Sequence, residues 1–193
     1  VSETAEHAVI FASAVEGFVK GLRVPLSKRV LNEVTQLGID LDQPAPAYTL
    51  EAWETAMRLA AAELYPALTE SERFRTLGRD FIQGYIQTAF GKAALAFIKI
   101  IGPRRSLHRM SHNFRSAANY IGCEASDVAD RHVELRTWML PQYLPQWRNR
   151  PVFFVHYRHG VLEEIMSMQG LNAKVDILSY QPEDQTARYG INW

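Results

Sequence analysis

Apolar positions change their period along this chain, and the change divides it. Up to about residue 101 they recur every three or four residues, the spacing of helices with one buried face. Ile10, Ala14, Phe18 and Leu22 mark a first helix over 8–22, although its opening Ala8-Val9-Ile10-Phe11 also suits a short extended piece. Pro25 precedes a second helix, in which Val30, Leu31, Val34 and Leu37 share a face and Gly38 supplies a C-terminal cap. Residues 39–48 hold two prolines and no period, so a loop is predicted. Thr49 caps a third helix, rich in good helix formers, that stops at Pro66. Thr69-Glu70-Ser71-Glu72 is a capping box for a fourth, which carries Phe74, Leu77, Phe81, Tyr85 and Ile86. Gly78, Gly84 and Gly91 punctuate this run. Each costs up to about 1 kcal/mol against Ala in a helix, so their repetition points to close packing or a bend. Lys92 to Ile101 continues as a nearly all-apolar helix, which implies burial on more than one side, and Gly102-Pro103 ends it.

After a basic segment the helical period weakens. Ala117 to Ala125 and Ala129 to Met139 are predicted strands, joined near Ser126-Asp127. In the second, Val133, Leu135 and Thr137 alternate with His132, Glu134 and Arg136, the pattern of a half-buried strand. Pro141 to Gln146 reads as a proline-bounded loop. A long apolar helix starts at about Pro151. Two alternating segments, Ala173 to Tyr180 and Thr186 to Trp193, come last, and a strand there is expected to pin the final residues to a sheet. The tally is five or six helices, mostly first, then about four strands with a helix between the pairs. That order is α+β: N-terminal helices packed on a C-terminal four-stranded antiparallel sheet with an inserted helix. No linker divides the chain, so residues 1–193 are expected to form a single domain.

Charge changes this picture locally. Lys+Arg and Asp+Glu are both 21, so no global field draws the chain to nucleic acid or to an anionic membrane. Residues 81–123, however, hold six Lys/Arg and no acid. The cluster centres on Arg104, Arg105, Arg109 and Arg115, with His108 and His112 between them. Cys123 is the only cysteine, which excludes an intrachain disulfide and a zinc site built on several thiolates. A reducing cytoplasm is the expected location. No apolar run approaches a membrane span, and the first residues lack the pattern of a signal peptide.

The candidate chemistry is sparse. After a helix break, arginines suit two-point recognition of a carboxylate or phosphate, while the plainer reading is a solvated face paired with the acidic N-terminal half. His108 and His112 share a helical face, but zinc needs a third ligand and the neighbouring arginines repel a cation, so no metal is expected. There is no nucleophile elbow, Walker loop or dinucleotide-binding glycine motif. Glu163 and Glu164 are consecutive on a helix and point about 100° apart, so they cannot face each other as an acid/base pair. The aromatics Phe81, Tyr85, Phe90, Phe97, Trp138, Phe153, Phe154 and Tyr157 suit core packing. The sharper reading has some of them lining a cavity between helices and sheet, with Arg104, Arg105, Arg109 or Arg115 at a polar mouth.

The segments TLGRDFIQGYIQTAFGKA, IIGPRRSLHRM, GVLEEIMSMQGLNAKVDI and TARYGINW resemble an uncharacterised paralogous family of about this length, expanded in myxobacteria. The resemblance spans nearly the whole chain. The strand-pair, helix, strand-pair order of the second half is more distantly similar to a superfamily of 4-vinyl reductase domains, haem nitric-oxide/oxygen-binding domains and transport-particle subunits. That resemblance implies helices against a small twisted sheet, an apolar ligand, haem or acyl chain between them, and dimers. Haem-binding members use a proximal His and a Tyr-x-Ser-x-Arg motif, and neither the motif nor its Tyr occurs at Arg109 to Arg115. The cysteine-rich zinc site of 4-vinyl reductase domains cannot form with Cys123 alone. Acylation at Cys123 requires that it face a cavity.

The reading is therefore a cytoplasmic, non-catalytic ligand-binding or sensory domain, a homodimer, for an apolar or amphipathic small molecule. No cofactor and no nucleic-acid partner are expected. Its ligand-binding candidates are Phe81, Tyr85, Phe90, Phe97, Arg104, Arg105, Arg109, Arg115, Trp138, Phe153 and Tyr157. The alternative is a protein-protein interaction or scaffold subunit of the same fold with a filled core.

Overall fold

A computed structural model describes residues 7–148 and 153–193, and all their side chains except those of 111–113, 116 and 153. The described residues form β1 (Val9–Phe11), α1 (Ala12–Gly21), α2 (Lys28–Gln36), β2 (Ala47–Thr49), α3 (Leu50–Leu64), α4 (Glu70–Tyr85) and α5 (Ala89–Ala117). There follow β3 (Ile121–Ala129), β4 (His132–Met139), α6 (Leu144–Trp147), α7 (Phe153–Met168), β5 (Lys174–Gln181) and β6 (Thr186–Asn192). The α+β class and the C-terminal sheet are as expected. That sheet is antiparallel throughout, in the order β3-β4-β6-β5.

Local signals explain most boundaries. The Thr49 hydroxyl accepts from the Ala52 N–H at the start of α3, and Thr69 and Glu72 close the capping box of α4. Gly38 has φ 81°, the left-handed cap that follows α2. Four expectations need correction. The loop predicted over 39–48 ends in β2, which pairs with β1 and makes Val9–Phe11 the short extended piece that the sequence also allowed. The basic segment is helical, since α5 resumes at Pro103 and runs to Ala117. The β3–β4 turn lies past Ser126-Asp127, which stay in the ladder; Asp127 is held there by Arg104 and His108. The predicted loop 141–146 contains α6, with a proline in its first turn.

The sheet buries one face. Val133, Leu135, Thr137 and Met139 of β4 and Ala187, Tyr189 and Ile191 of β6 point inward, while Glu134, Arg136 and Trp138 point out. Two hydrophobic clusters result. One gathers α1–α4 with Tyr120, Ile121 and Met139, the other gathers Leu107, Met110, α7 and the inner sheet, and Phe114 packs against both. Glycines let the helices meet closely. A Cβ at Gly84 would collide with the backbone of Gly17 and Gly21 on α1, and one at Gly78 or Gly160 with the facing backbone of α7 or α4. The sequence's repeated glycines are thus contact points of α4 with both neighbours.

Candidate functional site

An apolar cavity of about 120 Å3 lies where the two clusters meet. On α4, Phe81, Ile82, Tyr85 and Ile86 face it, at the three- and four-residue spacing of one helical stripe. From the first half of α5 come Phe90, Gly91, Ala94, Leu95 and Ile98, and from its second half Ser106, Met110, Phe114 and Ala117. Val161 and Ile165 of α7 complete the wall. Both halves of α5 face one space because the helix folds back at Gly102, where φ is 77° and ψ 172°. An unbroken helix would set Phe97 and Arg109 about 18 Å apart. Here the Arg109 guanidinium sits 4.8 Å from the centre of the Phe97 ring. Pro103 then starts the second half, where its missing N–H costs nothing.

Size and lining decide what the space can hold. Enclosed engineered cavities of ~150 Å3 lined by aliphatic and aromatic groups take up benzene; this space is similar in size and lining but opens to solvent on one side, beside the half-exposed Phe90. Among the described residues, the only polar side chains in the lining are the hydroxyls of Tyr85 and Ser106, and the Ser106 hydroxyl donates to the Pro103 carbonyl at 2.7 Å. Dispersion and desolvation are therefore what the site offers, with little directional recognition.

A polar clamp holds the α4–α7 wall. The Arg75 and Arg79 guanidiniums both donate to the Glu163 carboxylate, at 2.8 Å from Arg75 Nε and 2.7 Å from Arg79 Nη2. Burial raises the Glu163 pKa, but the two arginines and His159 outweigh it and hold the carboxyl below its ordinary value. Burial pushes His159 down, opposed by Glu163 and by its 2.8 Å bond to the Val175 carbonyl.

Of the residues singled out in the sequence, Phe81, Tyr85 and Phe90 line this cavity. Tyr157 packs on Phe81 from behind, with ring centres 5.7 Å apart, and burial pushes its phenol well above the usual range. Phe97 lies on the outer side of the first half of α5, under Arg109. Among the described residues no arginine lines this cavity. Arg104 pairs with Asp127 at 2.7 Å, and Asp127, bonded by Arg104 and His108, is held down to about 2. Arg105 and Arg115 are exposed and do not line this cavity. Trp138 stands on the outer face of the sheet beside Arg136. The Phe153 and His112 side chains lie outside those described. Cys123, opposite Thr137 on the inner side of β3, packs against the second cluster and does not line the cavity. Burial pushes its thiol up to about 12.

Two features escaped the sequence. The far lining, Ile98, Met110 and Phe114, needs the reversal at Gly102 to face Phe81 and Ile82. Arg158 is the second: it is only 8% exposed, and Nη1 donates to the Thr137 hydroxyl at 3.1 Å. It lies over the Phe154 ring and among Tyr120 and Tyr189, whose phenols burial drives up to about 12 against its opposing charge. An arginine inside an apolar helical run was the available signal. Among the described residues no three His, Cys, Asp or Glu side chains gather as a metal site.

The family model described as "Protein of unknown function (DUF2378)" matches residues 8–193. No curated protein matches the chain by sequence. Solved structures share its fold. One, described by the words "Modulating Heme Redox Potential Through Protein-Induced Porphyrin Distortion", has a TM-score of 0.66 at 17% identity, over 95% of this chain and 100% of that one. An oxygen-binding H-NOX domain related to soluble guanylate cyclases gives 0.65 at 16% identity, over 92% of each chain. Another, described by the words "Structural insights into the molecular mechanism of H-NOX activation", gives 0.61 at 17%, over 92% of this chain and 91% of that one.

Proposed function

The chain belongs to this family of proteins of unknown function, and we propose that it is a non-catalytic, ligand-binding sensory domain. The observation that carries the reading is the 120 Å3 cavity ringed by apolar side chains from α4, α5 and α7. Its chemistry selects a small apolar molecule, or the apolar part of an amphipathic one: one ring, or a short stretch of acyl chain. One chain supplies every lining residue, so self-association is not needed to build the site. Both hydrophobic clusters share Phe114, which supports residues 1–193 acting as one cooperative unit.

Haem is the group that the structural relatives bring to mind, and the residues here do not fit it. Among the described residues the lining has no histidine or cysteine to reach an iron, and no arginine or lysine to meet propionates. The space also matches a benzene-sized guest rather than a tetrapyrrole. The sensory reading therefore keeps the fold and departs from the cofactor.

A ligand changes the protein only through differential affinity for two states. The wall suited to this is the first half of α5, which joins the rest through the break at Gly102. Native mass spectrometry of protein as purified, beside a denatured control, tests the reading. The expected result is an adduct lost on denaturation, and saturable binding of toluene, a one-ring guest, read as a rise in the unfolding midpoint. No adduct together with no saturable binding overturns it.

A further inference from the structure

The first half of α5 has a second apolar face, directed away from the cavity. Ile100 is 82% exposed and Phe97 40%, and Ala93 and Ala96 are exposed beside them. At 100° per residue, Ala96, Ile100, Ala93 and Phe97 form one continuous stripe. Lys92 and Lys99 fall about 20° apart along one edge of it. Both lysines are exposed, and among the described residues no carboxylate lies within ion-pair distance of either. Arg105 lies just beyond the Gly102 break and is also exposed. The stretch 81–123 contains no acid at all.

We propose that this face, the Ala93–Ala96–Phe97–Ile100 stripe edged by Lys92 and Lys99, docks onto an anionic lipid bilayer. The chemistry is that of a helix lying in the membrane interface, with aromatic and aliphatic groups among the acyl chains and lysine stems reaching back to the headgroups. No helix among the described residues is long and apolar enough to cross a membrane, so contact is limited to the surface. Charge decides between a bilayer and a second copy of the chain. A two-fold contact sets the same patch against itself. Lys92 and Lys99 would then meet lysines in a segment with no carboxylate to answer them. Anionic lipid supplies the missing negative charge. The inference goes beyond the proposed ligand cavity and stands independently of it, because it uses the opposite face of the helix.

Sedimentation with phosphatidylcholine vesicles, with and without phosphatidylglycerol, tests it. The full chain is expected to bind the anionic vesicles, to bind neutral ones at least tenfold more weakly, and to be released by salt. Ile100→Asp should lower binding more than tenfold. Lys92→Gln with Lys99→Gln should lower it on the order of tenfold and flatten the salt dependence. Ile100 is nearly free of protein contact, so an unchanged unfolding midpoint in these variants shows that the fold survives. In Ile100→Trp the added emission should shift to the blue when anionic vesicles are present. No binding to anionic vesicles, or binding that Ile100→Asp leaves intact, overturns the proposal. So does a dimer that Ile100→Asp dissociates without any vesicle binding.

Discussion

Ala94→Leu tests the cavity directly. Ala94 lies on the first half of α5, half-buried, with its methyl group toward the space. Leucine adds three carbons; at about 0.8 kcal/mol for each methylene buried, the ceiling is roughly 2.4 kcal/mol. Position 94 is only half-buried, so about 1 kcal/mol is the expected gain, with no helix-propensity penalty between Ala and Leu of any size. For a chain of this length that raises the thermal midpoint by about 2–4 °C. The same substitution should abolish the ligand response. A probe at a hundred times its Kd stabilises the native protein by about 2.7 kcal/mol, and this shift should vanish once leucine fills the space. Thermal and urea unfolding, each with and without toluene, measure both effects. A lower midpoint in Ala94→Leu, or a probe shift that survives it, refutes the reasoning.

Two further outcomes follow from the α4–α7 wall. A Cβ at Gly160 would overlap the Arg75 carbonyl oxygen, so Gly160→Ala must spread the helices and loosen the arginines from Glu163. The overpacking cost exceeds the helix-propensity gain by about 1–2 kcal/mol. Gly122→Ala meets only the half-exposed Trp138 ring, which can move, and should cost less in urea titrations. For pH, the folded protein holds protons on His159 and His156 less readily than the unfolded chain, because burial depresses both. Stability is therefore lost as pH falls through ~6.5, the unfolded histidine value. Glu163, also depressed, adds a second loss only as pH drops below ~4.3. Urea midpoints measured across this range should show both steps, and His159→Gln should shrink the first; a flat profile from pH 7 to about 5 contradicts the assignment.

Local chemistry made much of the fold legible. The Thr69–Glu72 box, the Thr49 cap and Gly38 each announce a boundary with nearby residues alone. Gly78 and Gly84 announced close packing but not the partner, since Tyr157 and Gly17 are far away in sequence. Ser126-Asp127 imitated a turn because serine and aspartate favour turns wherever they occur. What keeps Asp127 in the strand is Arg104, in another element. The candidate site divided along the same line. Phe81, Tyr85 and Phe90 follow from helical spacing. Arg104 pairs instead with Asp127 and Arg109 with Phe97, and the second pairing depends on the fold-back at Gly102. Arg158 ran against the rule that buried charges have charged partners. Its company is Thr137 and two tyrosines.

The break at Gly102 gives α5 two arms with different tethers. The second arm is tied to the sheet through Arg104 and His108, both on Asp127. Among the described residues the first arm has no such charged tie, and its attachment includes the apolar cavity on one side and the Phe97–Arg109 stack near its end. A guest that swells the cavity is therefore resisted unequally. The sheet side is clamped by charge, and the arm facing outward is held mainly by contacts the guest itself replaces. On the proposed reading, occupancy would be felt first by this one short helix, whose outer stripe is the proposed membrane-docking face.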